Sequence, residues 1–297
     1  MHSLTDVQRY LAEQGIDAWL LYDFRGSNPV FARLCPQKKW TTRRVWLHIP
    51  AAGRGEPVLL HSGIDGPSFR EVNLPKRAYL GWRDMTEALS GLLGPGARIA
   101  MDYSPGNALP VVSCVDAGAV ELVRGLGAEV VSSADVAQVA VAAWSSAALE
   151  AHGRASCAVA GIKDGAFDLI RQRVRAGQRV LEHEVAEFIR EGFKREGLQW
   201  PDGPIVAVNA HSGDPHYEPG ADRPTEITRG DWVLIDLWAR RPGDENIFSD
   251  ITWCGFVGDK ARCPADRLNV FQTVRAARDA ALEAARTGWK RPGGVQG

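Results

Sequence analysis

Several familiar signatures are missing from this 297-residue chain, and each absence removes a class of function. Neither GxGxxG nor GxxxxGK[ST] occurs, so the loops that cradle nucleotide phosphates in the common α/β motifs are absent. The run "GPGARIAMD" reads instead as a helix stop followed by a strand. No GxSxG elbow is present to present a serine nucleophile. The five cysteines (Cys35, Cys114, Cys157, Cys254 and Cys263) are scattered, odd in number and free of CxxC spacing. They read as reduced thiols of a cytoplasmic protein, not as a disulfide frame or a zinc site. No apolar run is long enough to span a bilayer, and "MHSLTDVQRY" lacks the apolar stretch of a signal peptide. A net charge of −1 gives no general attraction for nucleic acid or an anionic membrane. The two short basic runs, "KKWTTRR" (Lys38 to Arg44) and "RQRVR" (Arg171 to Arg175), read as solvated faces.

What is present divides into two textures. The first alternates helix and strand patterns: "LTDVQRYLAEQG" has helical spacing and "AWLLYDF" is a short strand. "RRVWLHIP" and "PVLLHSG", separated by "AAGRGE", predict a hairpin. "MTEALSGLLGPG" is a helix halted by Gly-Pro-Gly, "ARIAMDYS" a buried strand, and "AGAVELVRGLGAEVVSS" a further helix and strand. These predict an α/β domain over residues 1–142. From 143 to 297 the pattern is different. A long Ala-rich helix, with Leu149, Val159, Ile162, Phe167 and Ile170 on its buried face, leads to the amphipathic "VLEHEVAEFIREGFKREG". The strands "PIVAVN", "DWVLIDLWA" and "IFSDITWCGFV" follow, then the helix "ADRLNVFQTVRAARDAALEAARTG".

Each of the last two strands carries one aspartate in an apolar setting. Side chains alternate along a strand, so Trp232, Leu234, Asp236 and Trp238 share one face, and Phe248, Asp250, Thr252 and Cys254 another. A turn centred on Gly243 would set Asp236 opposite Asp250, with Cβ atoms about 5 Å apart. Two carboxylates so placed among aromatic side chains need a remedy. A shared proton, a bridging arginine (Arg240 or Arg241) or a divalent cation would each serve. A shifted loop that turns one aspartate toward water would remove the problem instead.

The segments "NAHSGDPHYEPG", "ITRGDWVLIDLWA" and "IFSDITWCGFVG" resemble, in motif and order, the M24 metallopeptidase family. That family contains the Xaa-Pro aminopeptidases, prolidases and methionine aminopeptidases, and the metal-free creatinase. "YDFRGSNPV" and the strands after it resemble the creatinase/prolidase-type N-terminal domain. The resemblance implies an α/β (α+β) protein, an N-terminal α/β domain followed by a partial pita-bread catalytic domain. It implies two divalent ions (Mn, Co or Zn) with a bridging water activated to attack a carbonyl. By position, Asp236 and Asp250 become metal ligands, and His216 contacts the substrate and steadies the tetrahedral intermediate. Read without the family, His216 is a loop histidine capping a turn beside Pro215 and Pro219; His211 lies five residues earlier and competes for its role.

The sequence departs from the family at its far end. The family's site uses a later histidine and two later glutamates, but no histidine follows Asp250 and Glu283 is the only glutamate after it. The expectation is therefore a C-terminally truncated Xaa-Pro aminopeptidase or dipeptidase, with peptide substrates, a homodimeric habit and a cytoplasmic setting, and inactive as it stands. The closing "RPGGVQG" resembles an interrupted linker. Two alternatives remain: a non-catalytic pseudopeptidase that binds peptide or protein, and a creatinase-like C–N hydrolase, which the two aspartates disfavour.

Overall fold

The structure, a computed structural model, describes residues 3–36, 41–243 and 245–288. The closing "WKRPGGVQG" and residues Lys38 to Trp40 of the first basic run lie outside the described residues. The chain divides into two units, Met1–Ser145 and Ser146–Gly297.

In the first unit α1 (Leu4–Glu13) starts on a capping box, in which Ser3 and Asp6 satisfy each other's backbone N–H. It leads to β1 (Ala18–Asp23) and α2 (Pro29–Leu34), which is capped by Asn28 and has Pro29 in its first turn. The expected hairpin is present as β2 (Val45–Pro50) and β3 (Val58–Ser62), joined antiparallel. An edge strand, β4 (Lys76–Tyr79), and α3 (Trp82–Leu93), β5 (Arg98–Met101), α4 (Ala117–Gly125), β6 (Glu129–Ser132) and the short α5 (Ala134–Ala137) complete the unit. The six strands run in the order β4-β3-β2-β1-β5-β6. Only β2 runs against the rest.

Every residue of β1 and β2 is buried, because helices cover both faces of the sheet. Trp19 and Leu21 join Val7, Leu11 and Phe31 in one core, and Leu20 and Tyr22 join Met85, Leu89 and Val123 in the other. Asp102, buried just after β5, accepts hydrogen bonds from the Trp19 indole, the Asn28 amide and the Ser133 hydroxyl. Burial nevertheless holds its pKa above the usual carboxylate range, the three donors opposing it.

The second unit contains α6 (Ser146–Arg175), α7 (Glu182–Arg195), the strands β7 (Ile205–Val208), β8 (Trp232–Ala239) and β9 (Ser249–Phe256), and α8 (Ala265–Gly288). The strands form an antiparallel sheet in the order β7-β8-β9. Val159, Ile162 and Ile170 of α6 are buried with Val185, Ile189 and Phe193 of α7 and the odd-numbered residues of β8. Leu149 is the exception to the expected helix face, being 58% exposed. The buried stripe runs through Ala148, Ala151 and Ala155 there, and Leu149 stands one residue, about 100° of helix, off it. At Gly192 the two helices come so close that a Cβ would lie 2.9 Å from Cγ2 of Ile162.

Candidate functional site

Strand β8 alternates between half-buried and buried residues along its whole length. Val233, Ile235, Leu237 and Ala239 face the helices, while Trp232, Leu234, Asp236 and Trp238 lie on the opposite, more open face. The aspartates therefore do not sit inside strands covered on both sides. They occupy the side of the sheet that α6 and α7 leave free.

The register differs from a pairing centred on Gly243. Asp236 lies opposite Thr252, and Asp250 lies opposite Trp238. The pairing is displaced by two residues because Arg240 stays with the sheet, exchanging backbone hydrogen bonds with Gln199 at 2.8 and 3.0 Å. Its guanidinium also lies 4.9 Å from the Phe248 ring centroid and donates to the Asn246 carbonyl. The return arm consequently begins later than the symmetric count requires. A shift of two, unlike a shift of one, leaves both carboxylates on the same face. They become diagonal neighbours, with Cβ atoms about 7 Å apart, instead of directly opposed.

Asp236 is half-buried and accepts a hydrogen bond of 2.9 Å from the Thr252 hydroxyl. Its pKa is raised, first by loss of water and then by the charge of Asp250, with Thr252 opposing both. Asp250 itself is exposed. Neither Arg240 nor Arg241 bridges the pair: Arg240 is turned to the loop and Arg241 donates to the Glu196 carbonyl. Beside the aspartates, on the same face, a cavity of about 580 Å³ is lined by Trp232, Leu234, Thr252 and Cys254, and by Val270 and Phe271 of α8.

His216 lies in the loop between β7 and β8 with its side chain exposed. Its backbone N–H donates to Asp214 Oδ1 at 2.9 Å, which shapes the turn. His211 takes a different position, on a network that the sequence pattern did not disclose. Its Nδ1 lies 3.0 Å from Glu182 Oε1, and its ring stacks on Tyr217 at a centroid distance of 4.2 Å. The Tyr217 hydroxyl donates to Glu182 Oε2 at 2.5 Å, and the Val208 N–H donates to Glu182 Oε1 at 2.7 Å. Glu182 is 1% exposed at the first turn of α7, where the helix dipole and these donors offset the loss of water. In "VLEHEV" it looks like any first-turn glutamate; burial alone distinguishes it. Nearby, Asn209 adopts a φ of +50° and ties the same loop to the sheet and to α8 by hydrogen bonds with Asp231, Trp232 and Arg267.

Among the described residues no group of three or more His, Cys, Asp and Glu side chains is arranged to hold a metal ion. Glu283 is exposed on α8. Asp236 and Asp250 fit as oxygen donors on one open face, but they supply only part of the donor set a metal centre requires.

Comparison with known proteins supplies the context. Residues 155–293 match the model of metallopeptidase family M24. No curated protein sequence matches the chain. Among solved structures, dipeptidase PepE from Mycobacterium ulcerans is similar with a TM-score of 0.59 and 21% identity, over 96% of this chain and 69% of its own. The prolidase from Pyrococcus horikoshii OT3 is similar with a TM-score of 0.54 and 20% identity, over 95% and 72%. The X-Pro aminopeptidase from Thermotoga maritima MSB8 gives 0.55 and 18%, over 96% and 72%. The fold is thus a creatinase/prolidase-type N-terminal α/β unit followed by part of a pita-bread domain. The match to the M24 model covers a little under half of the chain, and the fold of the chain is similar to that of the prolidase and the X-Pro aminopeptidase.

Proposed function

We propose that this chain supplies Asp236 and Asp250 to the two-metal centre of a Xaa-Pro aminopeptidase or dipeptidase acting on peptides. The observation that carries the reading is their placement: two carboxylates on one open sheet face, two rungs apart, with no compensating positive charge beside Asp236 among the described residues. Residues 1–142 serve as the creatinase/prolidase-like domain and 143–297 as the first half of the catalytic domain. His216, in "DPHYEP", is assigned to the substrate side. When bound, a pair of Mn, Co or Zn ions would polarise the scissile carbonyl and lower the pKa of a shared water. No histidine follows Asp250 in the sequence, and Glu283 is the one glutamate after it. A homodimer in the cytoplasm is the proposed setting; all five cysteines are free, and no described helix is long and apolar enough to cross a membrane.

Calorimetric titration of Mn²⁺ into the chain tests the ligand assignment. Weak saturable binding is expected, lost in Asp236→Asn and in Asp250→Asn while their unfolding curves stay close to the parent's. Binding that survives in the double variant would refute the assignment. No turnover of an Xaa-Pro dipeptide is expected from this chain alone. The second reading, a non-catalytic peptide-binding protein, is favoured by the absence of a third ligand among the described residues. It predicts peptide binding that does not respond to Mn²⁺.

A further inference from the structure

A cleft of the first unit has a chemistry that the peptidase reading does not use. About 1020 Å³ in volume, it opens beside Tyr22, Ser62 and Tyr79, at the carboxyl ends of the parallel strands β1, β3 and β4. In open α/β sheets this is the edge where ligands bind, because the helices that follow the strands start there. Its lining includes Trp46, which is fully buried, and Tyr22 and Tyr79, each 5% exposed. Its rim includes Trp82, 66% exposed.

Three arginines line the same cleft: Arg25, Arg43 and Arg44. The last two close the basic run "KKWTTRR", whose sequence alone suggests only a solvated face. Among the described residues none of the three forms an ion pair. Arg25 lies over the Phe24 ring, Arg43 donates to the Thr42 carbonyl, and Arg44 lies by the Tyr22 hydroxyl. One acid lines the cleft, Asp116, and it is engaged in capping α4 and with Tyr22. Asp65, close by, is occupied by the backbone N–H groups of Thr42 and Arg43. Three guanidinium groups thus meet one lining carboxylate, leaving a net charge of +2 on the walls. α3 also starts at this cleft, with Gly81 in the capping position and Asp84 of its first turn accepting from the Leu80 N–H.

We infer that this cleft binds a small organic phosphate with a planar aromatic body. The arginines would take the phosphate through paired N–H donors, and the exposed Trp82 on the rim would take the ring. A volume near the upper end of ordinary ligand pockets leaves room for both parts, which inorganic phosphate alone would not fill. The inference is independent of the aspartates in the second unit.

The test is calorimetric titration of the full chain with 1-naphthyl phosphate, alongside inorganic phosphate and 1-naphthol. Saturable 1:1 binding is expected for 1-naphthyl phosphate, at least tenfold tighter than for either of its parts. The affinity should fall at least tenfold in Arg43→Gln/Arg44→Gln and on Trp82→Ala, and should weaken as salt is raised. Arg43→Lys/Arg44→Lys, which keeps the charge, should retain more binding than the Gln pair and guards against loss through misfolding. Absence of saturable binding, or equal affinity in parent and Gln variants, would overturn the inference.

Discussion

His48 sits mid-strand in β2, between Leu20 of β1 and Val58 of β3, and is 7% exposed. Its Nδ1 is buried without a hydrogen-bond partner among the described residues. Burial lowers its pKa from 6.5 to about 4, because the imidazolium would lose its hydration with nothing to replace it. The folded value lies below the unfolded one, so the unfolded chain binds the proton first as the pH falls. The stability associated with neutral His48 is therefore complete above about pH 6.5 and declines as the pH falls toward about 4. Those two values imply a loss of about 2.5 kcal/mol near pH 4.5. Asp102 acts in the opposite direction, since its raised pKa lets the folded state take up a proton more readily as the pH falls. A single profile would mix the two, and a difference between variants separates them. Hydrogen exchange of β2 peptides reads the first unit without interference from the second. The parent should lose about 2.5 kcal/mol more than His48→Leu between about pH 7 and 4.5. Parallel profiles for parent and variant would show that His48 is charged or solvated, and the reasoning would fail.

Two further perturbations probe the second unit. Glu182→Ala strands the Val208 N–H, the Tyr217 hydroxyl and His211 at once, and should cost about 3 kcal/mol in denaturant unfolding. Glu182→Gln should cost less. The Tyr217 phenol, pushed up to about 12 by burial and by Glu182, should titrate closer to its ordinary value in that variant, as followed by ultraviolet absorbance. Gly192→Ala gains up to about 1 kcal/mol in helix propensity but overpacks Ile162, at a cost of about 1–3 kcal/mol. Net destabilisation is expected as a lower unfolding midpoint at unchanged m-value.

The elements themselves were legible because their signals are local. The apolar run "WVLIDLWA" announced a strand, whose side chains alternate between two faces, and spacing of three and four marked α1, α7 and the greater part of α6. The same alternation put Asp236 and Asp250 on a common face, and that conclusion survived a register error because the error was an even number of residues. β4 and α2 were not legible. "KRAY" is a short edge strand with three exposed residues, and "PVFARL" is too short for a helical period to show.

What the tertiary structure decided lies wherever distant segments meet. The register lies two residues from the symmetric count, with Arg240 remaining paired to Gln199 on the neighbouring chain segment. Burial turned Glu182 from a surface-type first-turn acid into the acceptor for three groups contributed by residues 208, 211 and 217. Arg25 and Arg44 are nineteen positions apart in sequence, and only the closure of the β1–β4 sheet edge places them around one cleft with Trp82. Local pattern determines which way a side chain points along its own strand or helix. What it meets there depends on chain paths and covering layers, and those are settled by packing.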